Sequence, residues 1–175
     1  KQYAKTMQKH KGFTIVELTI AMVVMVILLG VGVVGLRSVQ LKAKDRERQS
    51  DAQAIAAYME QLYAKEIRDG SNNVIKKAGS YPSTVLWSNT TYKDIVFADI
   101  DRNITYAPDV TGSVPSLRPA TSTSPVPTKA EYYYLPRQTD GGALCSTIAQ
   151  ECRTFQVYYR TEVVEEQKII EGKRK

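Results

Sequence analysis

The chain has 175 residues, with 24 Lys and Arg against 18 Asp and Glu, for a net charge of +6. That length predicts one compact domain with room for an appendage, and the charge invites a nucleic-acid or membrane reading. One histidine, His10, and two cysteines, Cys145 and Cys152, fall short of the roughly four ligands of a Cys/His zinc site. No metal and no cofactor is therefore expected, and an imidazole-dependent catalytic pair would have to use His10.

The excess charge is localised. Residues 1–12 carry Lys1, Lys5, Lys9 and Lys11 and no acid. Residues 13–36 hold one charge, Glu17. Residues 37–48 set Arg37, Lys42, Lys44, Arg46 and Arg48 against Asp45 and Glu47. Residues 49–172 hold 12 basic and 15 acidic groups, and Lys173, Arg174 and Lys175 close the chain. A mildly acidic bulk is a poor match to a nucleic-acid-binding domain.

Leu18 to Leu36 is 19 residues without a charge, and extending back to Phe13 gives 24 residues interrupted only by Glu17. About 20 apolar residues cross a bilayer core, so a membrane helix is expected here rather than a buried soluble one. A secretory signal peptide would have an apolar core of about 7–15 residues and a small-x-small cut. The stretch Arg37-Ser38-Val39-Gln40-Leu41-Lys42, just beyond the run, offers no convincing cut. Both flanks are basic, so the positive-inside rule does not orient the span. The cysteines favour an outside location for the C-terminal portion.

Glu17 is the anomaly. A carboxylate at the centre of a membrane helix costs about 2.5–3.5 kcal/mol on insertion scales. Near one end the cost is lower, and snorkelling to the interface is the simple alternative to a partner. Its context is Lys11-Gly12-Phe13-Thr14-Ile15-Val16-Glu17-Leu18. A short basic leader ending in Gly, then Phe, three mostly apolar residues, Glu and an apolar helix resembles the class III signal of type IV pilins and pseudopilins.

The resemblance implies that residues 1–12 are a leader peptide, cut by a prepilin peptidase between Gly12 and Phe13 on the cytoplasmic side. It implies N-methylation of the new Phe13 amine, and pairing of Glu17 with the Phe13 amine of a neighbouring subunit. It also orients the span with its N-terminus inside. Gly12 suits a protease that must approach the backbone closely. Lys1 stands where a leader would begin with Met, so further leader residues are expected upstream. Loss of residues 1–12 would leave a mature charge of +2.

Gly30-Val31-Gly32-Val33-Val34-Gly35 fits G-x-G-x-x-G, but a dinucleotide fingerprint needs a strand before it and a βαβ unit around it. Inside a membrane helix, small residues for close helix approach or local softness are the alternatives. The resemblance favours softness at Gly30, Gly32 and Gly35.

From Arg37 to Asp69 there is no Pro or Gly. Ile55, Tyr58, Met59, Leu62 and Tyr63 recur at helical spacing, and Ala52, Ala56 and Ile67 extend that face. Gly70 reads as the stop. A helix from Thr14 to Asp69 would span about 84 Å, membrane-spanning over 13–36 and amphipathic over 37–69. The charged run Lys42–Arg48 reads as a solvated or headgroup-facing surface.

Residues 70–175 are expected to form a small β-sheet head. Gly79-Ser80-Tyr81-Pro82-Ser83 is a loop, resembling the Tyr-Pro that comes after the long helix in pilins. Asp94–Ile104 fits a short helix or a strand; because Ile104–Asp109 resembles the start of the pilin sheet, a short helix is favoured before it. Residues 107–128 hold five of seven prolines with many Ser and Thr, which predicts an exposed extended loop. Asn89-Thr90-Thr91 and Asn103-Ile104-Thr105 match sequons weakly. Glu131–Arg137 and Thr154–Glu162 are expected strands, with Lys168–Glu171 as a third. Cys145 and Cys152 would close a loop of eight residues. The resemblance implies a disulfide there, and two free thiols are the alternative. Tyr132, Tyr133, Tyr134, Tyr158 and Tyr159 could stack on single-stranded DNA, but alternating strand aromatics are the usual stuff of a core.

The fold expected is thus α+β and pilin-like, a long helix packed on a small antiparallel sheet. The expected function is a structural subunit of a type IV pilus, polymerised with itself or related pilins for adhesion or motility. A pseudopilin of a type II secretion or competence system is the alternative. Its partners would be the prepilin peptidase, the assembly machinery and, before assembly, the cytoplasmic membrane; after assembly it would lie in an extracellular filament. A membrane-tethered enzyme is disfavoured by the want of histidine or a phosphate site in the mature chain.

Overall fold

The structure, a computed structural model, describes residues 12–108, 110 and 116–173, with backbone alone at 32–35. The chain divides into two units, Lys1–Gln40 and Leu41–Lys175. Helix α1, Ile15–Ala64, belongs partly to each. In the first unit the helix is long and apolar enough to cross a membrane, and its described large apolar side chains are exposed. It continues as α-helix through Gly30, Gly32 and Gly35.

In the second unit α1 buries Ala52, Ile55, Ala56, Met59 and Leu62, with Tyr58 and Tyr63 partly covered. The expected apolar face is therefore the one that packs. The helix ends at Ala64, not at Asp69. Ile67–Arg68 (β1) instead pairs antiparallel with Val74–Lys76 (β2). The Asp69 carboxylate accepts the backbone N–H groups of Ser71 and Asn73 at 2.9 and 2.8 Å, a local turn that competes with further helix. Gly70 thus lies in a hairpin turn, and Ile67 joins the core from a strand.

Two short helices come next, Thr84–Ser88 (α2) and Thr90–Val96 (α3). The Asn89 side chain caps α3 by accepting Tyr92 N–H at 3.2 Å. The helix read at Asp94–Ile104 is thus displaced towards the N-terminus. The expected sheet start at Ile104 is absent. Asn103–Thr105 is a 3₁₀ turn, closed by Thr105 Oγ1 donating to Arg102 O at 2.7 Å. Asp109 lies outside the described residues.

The main sheet has the order β3-β4-β5-β6: Leu117–Pro119, Tyr132–Arg137, Thr154–Arg160 and Gln167–Glu171. β4, β5 and β6 pair antiparallel, as expected, and β3 adds parallel to β4. The segment read as an exposed loop over 107–128 therefore contains an edge strand. Leu117, Ala120, Pro125 and Pro127 are buried, whereas Thr121–Ser124 are exposed. Residues 111–115 of that segment lie outside the described residues. Phe155, Val157 and Tyr159 face the core from β5, as their alternation predicts. Tyr158, on the other face, is buried with Ala120 and Leu135 in a second small cluster.

Candidate processing and assembly site

Gly12 and Phe13 precede the helix in irregular backbone, and both are exposed, Phe13 at 83%. Among the described residues, a Cβ at Gly12 would meet nothing within 4 Å. Thr14 caps the helix: its Oγ1 accepts Glu17 N–H and its carbonyl accepts Leu18 N–H, each at 3.2 Å.

Thr14-Ile15-Val16-Glu17 has the T-x-x-E spacing of a capping box, a local signal that marks the helix start independently of the leader. Glu17 lies in the first turn of α1, where the helix dipole favours a carboxylate. It is exposed, and among the described residues it takes no ion pair. Gly12, Phe13 and Glu17 are brought to one helix end. Gly30, Gly32 and Gly35 lie several turns further on in unbroken helix, and a Cβ at Gly30 would meet nothing within 4 Å among the described residues. His10 and the rest of the leader, 1–11, lie outside the described residues.

Cys145 and Cys152 form a disulfide with Cα atoms 5.8 Å apart, and both are fully buried. The bridge ties the loop before β5 to the Tyr-Pro segment. Tyr81 N–H donates to Cys152 O and Thr84 N–H to Cys145 O, both at 2.9 Å. Of the five tyrosines considered for DNA stacking, Tyr132, Tyr134, Tyr158 and Tyr159 are buried. Tyr132 donates to Asp51 at 3.0 Å and Tyr134 to Pro82 O at 2.9 Å. Burial pushes both hydroxyls well above the usual tyrosine pKa. It also raises the Asp51 carboxyl, against the lowering effect of the Tyr132 hydrogen bond. Tyr132 thus ties the sheet to α1, and Tyr134 ties it to the Tyr-Pro segment.

The charged run Lys42–Arg48 is not simply a solvated surface. Arg48 is 2% exposed, with its guanidinium 2.8 Å from Glu162 and 3.5 Å from Asp45, and its Nε donates to Lys129 O at 3.0 Å. Asp45 accepts the backbone N–H groups of Glu162 and Val163 at 2.6 and 3.1 Å. Together they fasten the β5–β6 turn to α1. Lys42 and Arg46, in the same run, are exposed. Sequence could not mark this pair, because the β5–β6 turn lies more than a hundred residues away.

Lys76 also carries no signal in the sequence. Its buried ammonium donates to Lys65 O at 2.6 Å, Lys77 O at 3.0 Å and Tyr63 O at 3.5 Å, which closes the C-terminal end of α1.

Residues 7–33 match the prokaryotic N-terminal methylation motif. No curated protein and no solved structure matches the chain. The chain thus carries the class III signal found in type IV pilins and pseudopilins, on a long apolar helix with small sheets after it. The matched segment contains Gly12, Phe13, Glu17, Gly30 and Gly32.

Proposed function

We propose that this chain is a structural subunit of a type IV pilus, cut after Gly12 and polymerised through its N-terminal helix into a surface filament. The observation that carries this reading is the methylation motif over residues 7–33, with Gly12-Phe13 exposed just before α1 and Glu17 in its first turn.

The physical logic is charge compensation. Cleavage by the prepilin peptidase creates an ammonium group on Phe13, and methylating that amine keeps its charge. In an apolar filament core a lone carboxylate is costly, whereas a paired one is compensated. The cut would supply the partner for Glu17, on a neighbouring subunit. Before assembly the helix anchors the precursor in the cytoplasmic membrane with its N-terminus inside. Gly30, Gly32 and Gly35 are the soft stretch where α1 gives way on packing, each Gly weakening a helix by about 1 kcal/mol relative to Ala.

Glu17→Ala tests the assembly step. N-terminal sequencing should still find Phe13 first, while sheared surface filaments fall to background. A normal filament yield would defeat the pairing. Pseudopilins of secretion and DNA-uptake systems share the motif, so the abundance of this chain in sheared filaments separates the two. Its absence from them would favour the pseudopilin reading.

A further inference from the structure

A cavity of about 430 Å³ lies beside α2, α3 and the Asn103–Thr105 turn, within the size range of small-molecule sites. Two other clefts, near Gly172 and near Lys76, are about 10 Å³ each, room for a single water. The wall of the large cavity is braced by aromatic contacts. Trp87 and Phe97 meet at 4.1 Å between ring centroids, and Trp87 also lies 6.4 Å from Tyr134. Tyr106 and Ile100 complete the apolar part, both partly exposed.

The rim is charged. Lys93 and Asp94 come from α3, and Arg102 from the residue before the 3₁₀ turn. The Lys93 ammonium stands 5.9 Å from the centre of the Trp87 ring. Elsewhere in this unit Arg48, Arg68, Arg118, Lys129, Arg153 and Lys168 take carboxylate partners, while Lys76 and Arg137 donate to backbone carbonyls. Among the described residues, Lys93, Asp94 and Arg102 take none. The rim therefore offers two cations and one carboxylate, without ion pairs among the described residues, around an apolar wall.

We infer that this cavity binds an acidic saccharide, a pyranose carrying a carboxylate. The Arg102 guanidinium presents a planar fork that matches a carboxylate, and Lys93 adds a second positive charge. Asp94, exposed at the rim, accepts hydrogen bonds only and so suits the hydroxyl donors of a sugar. The C–H face of the ring covers the partly exposed Tyr106, beside the buried Trp87. A wholly apolar ligand would desolvate three charges without replacing their hydrogen bonds. The site draws on no residue of the N-terminal signal, so it stands apart from the filament reading.

Trp87 is the sole tryptophan, so its emission reports on the cavity. Full-length protein in detergent is titrated with a uronic-acid disaccharide, the neutral disaccharide of the same linkage, and inorganic phosphate. The expected result is a saturable change in Trp87 emission with the acidic sugar alone. Arg102→Gln and Lys93→Gln should each weaken it by about tenfold or more, with an unchanged melting temperature. Equal affinity for the neutral sugar, the same response to phosphate, no saturable change, or undiminished binding by both variants would each overturn the assignment. The Glu17→Ala chain should bind like the parent, which keeps this outcome separate from that of the assembly test.

Discussion

Two buried cations show how much a single side chain can decide. Arg48 holds α1 to the β5–β6 turn through Glu162 and Asp45. Arg48→Ala would leave the Glu162 carboxylate partly buried with a weaker partner, so a loss of about 3–5 kcal/mol is expected in urea unfolding. The exposed pair Arg68–Glu66 is the control, and Arg68→Ala should cost under about 1 kcal/mol. Equal effects at the two sites would refute the anchoring role. Lys76 makes a different prediction. Burial pushes its pKa from 10.5 down to about 8. Below about 8 the group is protonated in both folded and unfolded chains and adds no pH dependence. Above that, the unfolded chain holds more protons, so this group makes stability rise with pH. The rise ends near the usual tyrosine pKa of about 10. There the buried Tyr132 and Tyr134 keep their protons while the unfolded chain loses them, and the sign reverses. Urea midpoints at about pH 7, 9 and 11 would trace this, and Lys76→Met should lack the rise between the first two.

At the scale of elements, the end of α1 is set by the chain just beyond it. The Asp69 turn and the β1–β2 hairpin take the backbone away from the helix, and the Lys76 ammonium acts as the C-cap. The loop between β4 and β5 is held by Cys145–Cys152. A closed loop of eight residues corresponds to about 2.5 kcal/mol of chain entropy. The cysteines also carry backbone hydrogen bonds to the Tyr81–Thr84 segment. Replacing both with Ser should lower the melting temperature and hasten proteolysis within 139–153, without loss of the β4–β5 pairing. An unchanged melting temperature would show that the bridge is dispensable. Gly172 ends β6 in close contact: a Cβ there would stand 2.7 Å from the Phe155 ring. That approach lets the Lys173 N–H reach Glu60 on α1 at 2.7 Å.

At the scale of the whole molecule, the two units differ in what they expose. The large exposed apolar residues are concentrated between Phe13 and Leu41. Leu41–Lys175 has a core of its own, built from α1, the short helices and the sheet. A chain beginning at Leu41 is therefore expected to be soluble, monomeric and cooperatively folded. Sedimentation and near-ultraviolet circular dichroism would check this, and aggregation or loss of the aromatic signal would count against it. The full chain should require detergent, because its apolar helix has no partner in water.

The features legible in sequence were those set by neighbours in the chain. An uncharged run of 19 residues, the Gly12-Phe13 to Glu17 spacing, the helical period of Ile55, Met59 and Leu62, and the alternation of β5 all depend on local pattern. They yielded the apolar helix, the core face and the signal that the methylation motif matches. Long-range pairing had no such signature. Leu117–Pro119 became a strand because β4 presented a free edge. Arg48 became buried because Glu162 and Lys129 arrive from the far end of the chain. Lys76 became a cap because a hairpin folds it back on α1. Local periodicity reports which face of an element is apolar, but only the folded chain decides which charge meets which partner.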